Sequence, residues 1–224
     1  MKKTLSILLA MILCFVVLAG CSSETKETAP EAKTETEETK AAVISPLPET
    51  LDIDNLDNCT VAVSFEKGDA YVDDSGKMMM DLTVYAYEVY DMVDIAELEE
   101  NDVILRQGEE VEITKLERLD TGLVRINGGE EEGGFDLYSH DSTVYYEIGM
   151  NDAKAYYEIG NITLPVSAEF EFLDNSDLDV GEVTYYPGDF LIDDAGFMYH
   201  FVPHNTSVVI DNGVIVKMDR RYVP

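Results

Sequence analysis

Carboxylates dominate the side chains that could do chemistry. Two strings place oxygens at every second or third position: Asp52-Ile53-Asp54-Asn55-Leu56-Asp57 and Asp174-Asn175-Ser176-Asp177-Leu178-Asp179. Calcium takes about six to eight oxygen ligands, so Asp52, Asp54, Asp57, Asp174, Asp177 and Asp179 are the candidate metal ligands. Neither string is an EF-hand loop. Leu occupies the fifth position, Asp stands where the turn Gly belongs, and no Glu stands at the twelfth. The competing reading is a solvated acidic loop at a strand end. Glu169 and Glu171 could divide acid and base roles as a carboxylate pair. On the wet face of a strand they would keep ordinary acidity, which argues against that role.

Nucleophile patterns are weaker. Ser64-Phe65-Glu66-Lys67 has S-x-x-K spacing, but that motif must open a helix and here it falls in a strand pattern. Ser139-His140-Asp141 sets triad residue types side by side, whereas a triad is assembled from distant segments. His200 and His204 flank Pro203, which bars a helical zinc-binding face. Cys59 follows no basic residue and reads as a small hydrophobe, not a thiolate. Met78-Met79-Met80 could meet soft copper, but after a turn these residues read as core filler.

Composition narrows the function classes. The chain has 224 residues, 46 acids against 15 bases and a formal charge of -31. A protein that neutralises phosphates needs clustered Lys and Arg, so nucleic-acid binding is excluded as a general mode. The charge favours basic or cation-bearing partners. With three Cys, a disulfide-stapled scaffold is also excluded. There is no Trp, which discourages a sugar-stacking site, although 13 Tyr can substitute.

The N-terminus combines Lys2 and Lys3, an apolar run from Leu5 to Leu18, and the string Leu18-Ala19-Gly20-Cys21. The run is shorter than the roughly 20 residues of a spanning helix. It reads as an export signal. Leu18-Ala19-Gly20-Cys21 resembles the lipobox of bacterial lipoproteins at all four positions. That resemblance implies cleavage after Gly20, lipidation of the Cys21 thiol, and attachment to the extracytoplasmic face of the cell membrane. Residues 1–20 are then signal. Residues 21–49, rich in Glu, Thr, Ala and Lys and without an aromatic, form an acidic disordered tether. A long tether favours a Gram-positive source. Residues 50–224 form the folded, acidic, β-rich domain.

Within that domain the apolar residues alternate. Val61, Val63 and Phe65 share one face, as do Met78, Met80, Leu82, Val84 and Ala86, and as do Ala168, Phe170 and Phe172. Asn212-Gly213 is a strong two-residue hairpin signal. Asp73-Asp74-Ser75-Gly76 and Asn127-Gly128-Gly129 mark further turns. Gly149 to Asp152 separates two copies of the string YYEIG, at Tyr145–Gly149 and Tyr156–Gly160. Asp94 could cap a helical turn from Ile95 to Glu100. Gly68–Met78 echoes Gly188–Met198, either as a duplication or as two similar hairpins. Val103 to Gly129 reads as a barrel-like meander. The expected fold is all-β: an antiparallel barrel- or sandwich-like domain of short hairpins with at most one or two short helical turns. The expected function is a surface-anchored binding or interaction module without catalysis or cofactor. The alternatives are an extracellular hydrolase acting on wall or glycan substrates through carboxylates, and a calcium-dependent β module.

Overall fold

Alternation becomes strand wherever one face of a segment finds a core. In the computed structural model, residues 41–48, 51–66, 68–149, 153–191 and 200–223 are described. The export signal, the lipobox with Cys21, and residues 22–40 of the expected tether lie outside them, as do Lys67, Met150 to Asp152 and Ile192 to Tyr199. Among the described residues no helix is long and apolar enough to cross a membrane.

The first strands in chain order are β1 (Val43–Ile44), β2 (Cys59–Ser64), β3 (Ala70–Val72), β4 (Met78–Ala86) and β5 (Val89–Asp91). After helix α1 (Met92–Glu97) come β6 (Val103–Arg106), β7 (Glu109–Glu112), β8 (Leu116–Arg118) and β9 (Val124–Ile126). Then follow β10 (Phe135–Tyr138), β11 (Val144–Ile148), β12 (Tyr157–Asn175) and β13 (Val183–Tyr185). Helix α2 (Pro187–Phe190), β14 (Thr206–Asp211) and β15 (Val214–Arg221) complete the order.

The fold is all-β, with a closed five-stranded barrel at its centre. Around the ring run β2, β4, β12, β15 and β14, which pairs again with β2. The return of β14 to lie beside β2 is Greek-key order. Strand β12, 19 residues long, serves β4 and β15 within the ring and also pairs through Phe172 to Asp174 with β13. Tyr157 to Pro165 pair with β4, and Val166 to Asn175 with β15. Pro165, which has no N–H to give a ladder, stands at the change of partner. Strand direction cannot alternate all the way round a ring of five, so one ladder must be parallel. It is β12–β15. A second parallel ladder joins β1 to β6.

The predicted inward faces fill the barrel except at Ala168, which is exposed where the β12–β15 register shifts between Val166 and Glu171. Val61, Val63, Met80, Leu82, Val84, Phe170 and Phe172 are buried there with Val208, Ile210, Ile215 and Met218. Phe190 of α2 packs into an aromatic cluster with Phe65, Phe170, Phe172 and Phe201. At the β14–β15 turn Asn212 and Gly213 have φ of 50° and 70°, the two positive values a primed two-residue turn requires.

Residues 87–156, between β4 and β12, build a second core. Tyr90, Ile95, Leu98, Ile104, Ile113, Ile126, Phe135 and Leu137 fill it, beneath the sheets β1-β6-β7 and β5-β11-β10-β9-β8. The buried Tyr90 hydroxyl shares its one proton between the Glu88 carboxylate at 2.8 Å and the Leu105 carbonyl at 2.9 Å. The Arg118 guanidinium donates to the carbonyls of Ile95 and Leu98, the exposed acceptors at the C-terminal end of α1.

Several local expectations are corrected. Helix α1 starts three residues before the expected turn, because Asp91 ends β5 and its carboxylate accepts the Val93 N–H at 2.7 Å. The stretch from Val103 to Gly129 is not one meander. The β6–β7 hairpin joins β1, while β8 and β9 join β10, since each hairpin pairs where an edge is open. Where both copies of the echo are described they differ in conformation: Gly68 and Asp69 lie in a turn and Ala70 opens β3, whereas the matching Gly188, Asp189 and Phe190 lie in α2, and Ile192 to Met198 lie outside the described residues. Val43 and Ile44, within the expected tether, pair with Val103 and Ile104 and so belong to the folded part.

Candidate functional site

Small side chains leave a trough on the outer wall of the barrel. Across four adjacent strands the outward row is Asp219 on β15, Ser207 on β14, Ala62 on β2 and Tyr85 on β4. Ala62 and Ser207 form its floor. The trough is a cleft of about 570 Å³, within the roughly 300–1,000 Å³ range of ligand sites.

Its walls come from distant segments. Tyr87 follows directly on β4. Ile148 and Lys154 form a bridge, and the Ala155 N–H donates to the Glu147 carbonyl at 2.9 Å, so the chain turns back at Lys154. This brings the Lys154 ammonium to 3.7 Å from the centre of the Tyr87 ring and 4.9 Å from that of Tyr146. The two YYEIG strings flank Tyr87. Tyr146 of the first and Tyr156 of the second meet it edge-on at 6.1 and 5.5 Å. His204 lies 5.5 Å from Tyr156. Its loop is held by Asn205, whose side chain accepts from the Val202 N–H and donates to the His200 carbonyl. Burial and the neighbouring Tyr87 raise the Tyr156 pKa, while the nearby Arg221 charge partly offsets them. Tyr156 is therefore a neutral hydroxyl at physiological pH.

Acids are sparse in this cleft. Glu182 and Asp219 line it, and Asp219 is ion-paired with Lys217 at 2.8 Å. No hydrogen bond joins Glu182 to Asp219 among the described residues. The arrangement offers rings, cations, hydroxyls and amides.

The side chains singled out in the sequence fall elsewhere, with His204 as the exception. Asp174 is buried, and its carboxylate takes a two-pronged hydrogen bond from Arg220, with Nε to Oδ1 at 2.9 Å and Nη2 to Oδ2. The Arg220 guanidinium also lies 4.4 Å from the centre of the Phe201 ring. Asp174 is therefore committed to this pair and is not an open calcium ligand. Asp177 accepts the Asp179 N–H, Asp52 accepts the Asp54 N–H, and Asp57 accepts the Asn212 N–H. Among the described residues no three His, Cys, Asp or Glu side chains gather as a metal set. Glu169 and Glu171 are exposed. Ser64 lies in β2 and its hydroxyl meets the Tyr85 hydroxyl at 3.1 Å. Asp141 accepts from the Thr143 N–H and hydroxyl, while His140 packs on Tyr138 and Tyr146, so no triad forms. Cys59 is half-buried against the barrel core, and burial pushes its thiol up. Met78 and Met80 are core residues.

Sequence reasoning missed Tyr87, Lys154, Tyr156 and Arg221. The one available signal was the doubled YYEIG string around Lys154, which read only as the arms of a hairpin. No family model, curated protein or solved structure matches the chain, so the chemistry of the cleft rests on its own residues.

Proposed function

We propose that the chain is a lipoprotein anchored through Cys21 on the extracytoplasmic face of the cell membrane, in a Gram-positive cell, and that its barrel domain is a non-catalytic binding module. The anchor rests on the string Leu18-Ala19-Gly20-Cys21 behind its apolar run. The binding role rests on one observation: the cleft over Ala62 and Ser207 is lined mainly by rings, cations, hydroxyls and amides, and of its two acids, Glu182 and Asp219, the second is tied to Lys217. Basic or cation-bearing partners remain the expectation for the acidic surface away from the cleft. Two or more acyl chains hold such a protein stably, where one would not.

Two measurements test this reading. Cys21→Ala should move the protein from the membrane fraction to the soluble one, and retention after a high-salt wash would remove the anchor. Isolated wall material should retain the mature chain without release of shortened glycans. Release of such products would favour the hydrolase.

A further inference from the structure

Cations are scarce in this molecule, and their distribution is uneven. Arg106, Lys115, Arg125, Lys217 and Arg220 are each ion-paired with a carboxylate. Arg118 is bound to helix carbonyls. Besides Arg118 and Lys77, the latter on an exposed turn, the cations that meet no carboxylate among the described residues are Lys154 and Arg221. Both line the same cleft. In a chain with a threefold excess of acids, this cleft sets Lys154 and Arg221 against a single acid, Glu182, outside its ion pairs, so cations locally outnumber carboxylates.

The remaining lining narrows the ligand. The floor is the face of the sheet, and β2 and β14 beneath it are paired on both sides, so a peptide cannot add there as a strand. Thr60, Ser207 and Asn175 offer hydroxyl and amide groups, and Tyr156 offers a ring wall. A sugar presents hydroxyl edges and an apolar face, which match these two kinds of surface.

We propose that the cleft binds a saccharide carrying an anionic substituent, a carboxylate or a phosphate, with the charge met by Lys154 and Arg221 and the sugar ring against Tyr156. This rests on the binding-module reading above and specifies its ligand class. Glu182 and Asp219, also in the cleft, face the hydroxyl-bearing part of such a ligand as acceptors. The acid surplus elsewhere repels an anion at long range. That repulsion is screened beyond roughly 8 Å at physiological ionic strength, whereas contact with Lys154 and Arg221 is not.

The test is calorimetric titration of the mature chain, from residue 21 and carrying Cys21→Ser, with four probes. Trigalacturonic acid supplies the carboxylate, glucose 1-phosphate the phosphate, maltotriose a neutral sugar, and inorganic phosphate the bare ion. At least one of the two anionic sugars should bind one to one, and which of them binds identifies the charged group. Lys154→Met keeps an unbranched side chain and removes the charge. It and Arg221→Gln should each weaken binding about tenfold or more, as loss of a charge-assisted hydrogen bond does. Lys154→Arg should retain binding, and Tyr156→Ala should lose it. Equal binding of maltotriose would overturn the anionic requirement while leaving a binding module in place. Equal binding of inorganic phosphate and glucose 1-phosphate would mean an adventitious ion only, and would also overturn it. So would binding of none of the four. Shortening of trigalacturonate would instead overturn the non-catalytic reading.

Discussion

Asn in place of Asp174 should unfold the barrel several degrees early. The Asp174 and Arg220 side chains are 9 % and 3 % exposed, so neither end of the pair is solvated. Removing the carboxylate charge leaves the Arg220 guanidinium buried between Phe172 and Phe201, at 5.4 and 4.4 Å from their centres. Breaking a buried pair from one side costs about 3–5 kcal/mol. At roughly 2–4 °C per kcal/mol for a domain of this size, Tm should fall by about 6–20 °C. Replacing both partners, Asp174→Leu with Arg220→Met, should restore most of the loss, because the buried cation leaves together with the carboxylate that balances it. Circular dichroism melts of the three variants and the parent read this directly. The pH dependence carries a second signature. Burial pushes the Asp174 carboxyl up, but the Arg220 and Ser176 hydrogen bonds outweigh it and hold the group below the usual range. A lowered folded pKa stabilises above the unfolded value, about 3.9. That stability is lost as pH falls through the lower, folded value. The Asn variant should lack this acid-sensitive component. A variant within about 1 kcal/mol of the parent would refute the reading of a desolvated pair.

Other expected outcomes follow from equally local features. Gly134→Ala should cost upwards of about 3 kcal/mol, because its Cβ would lie 1.9 Å from the Ile126 carbonyl oxygen and that backbone is held in β9. Gly76→Ala, at φ of 83° in open space, should cost only about 1 kcal/mol in the same circular dichroism melts. Sodium chloride should raise Tm by screening repulsion among the acids, and calcium chloride at matched ionic strength should add little. A large shift at micromolar calcium, abolished by Asp177→Asn, would restore the calcium module.

How far the fold could be read in advance depended on the range of the forces involved. The inward faces of β2 and β4 were readable because alternation is local: Val61 and Val63, and Met78 to Ala86, show the period that burial imposes. The Asn212-Gly213 turn was readable because positive φ is a property of single residues. Asp174 was misread because its partner lies 46 positions away. Asn-, Ser- and Asp-rich neighbours made it look like a solvated loop. Helix α1 was displaced because Asp91 and Asp94 are both adequate caps, and the end of β5 decides between them.

By itself the sequence determined the strand character of the domain, the faces that point inward, the tight turns and the acid surplus. It also carries the lipobox resemblance. Each of these is written in residue types within a few positions of one another. Tertiary structure decided the closure of the barrel, with β12 shared between β4 and β15 and one ladder forced parallel by the odd count. It also decided which of two neighbouring arginines is buried. Arg220 and Arg221 alternate across β15, so the first is buried against Asp174 and the second is exposed at the cleft. The cleft exists because residues 62, 87, 154, 156, 207 and 221 come together only after the ring has closed.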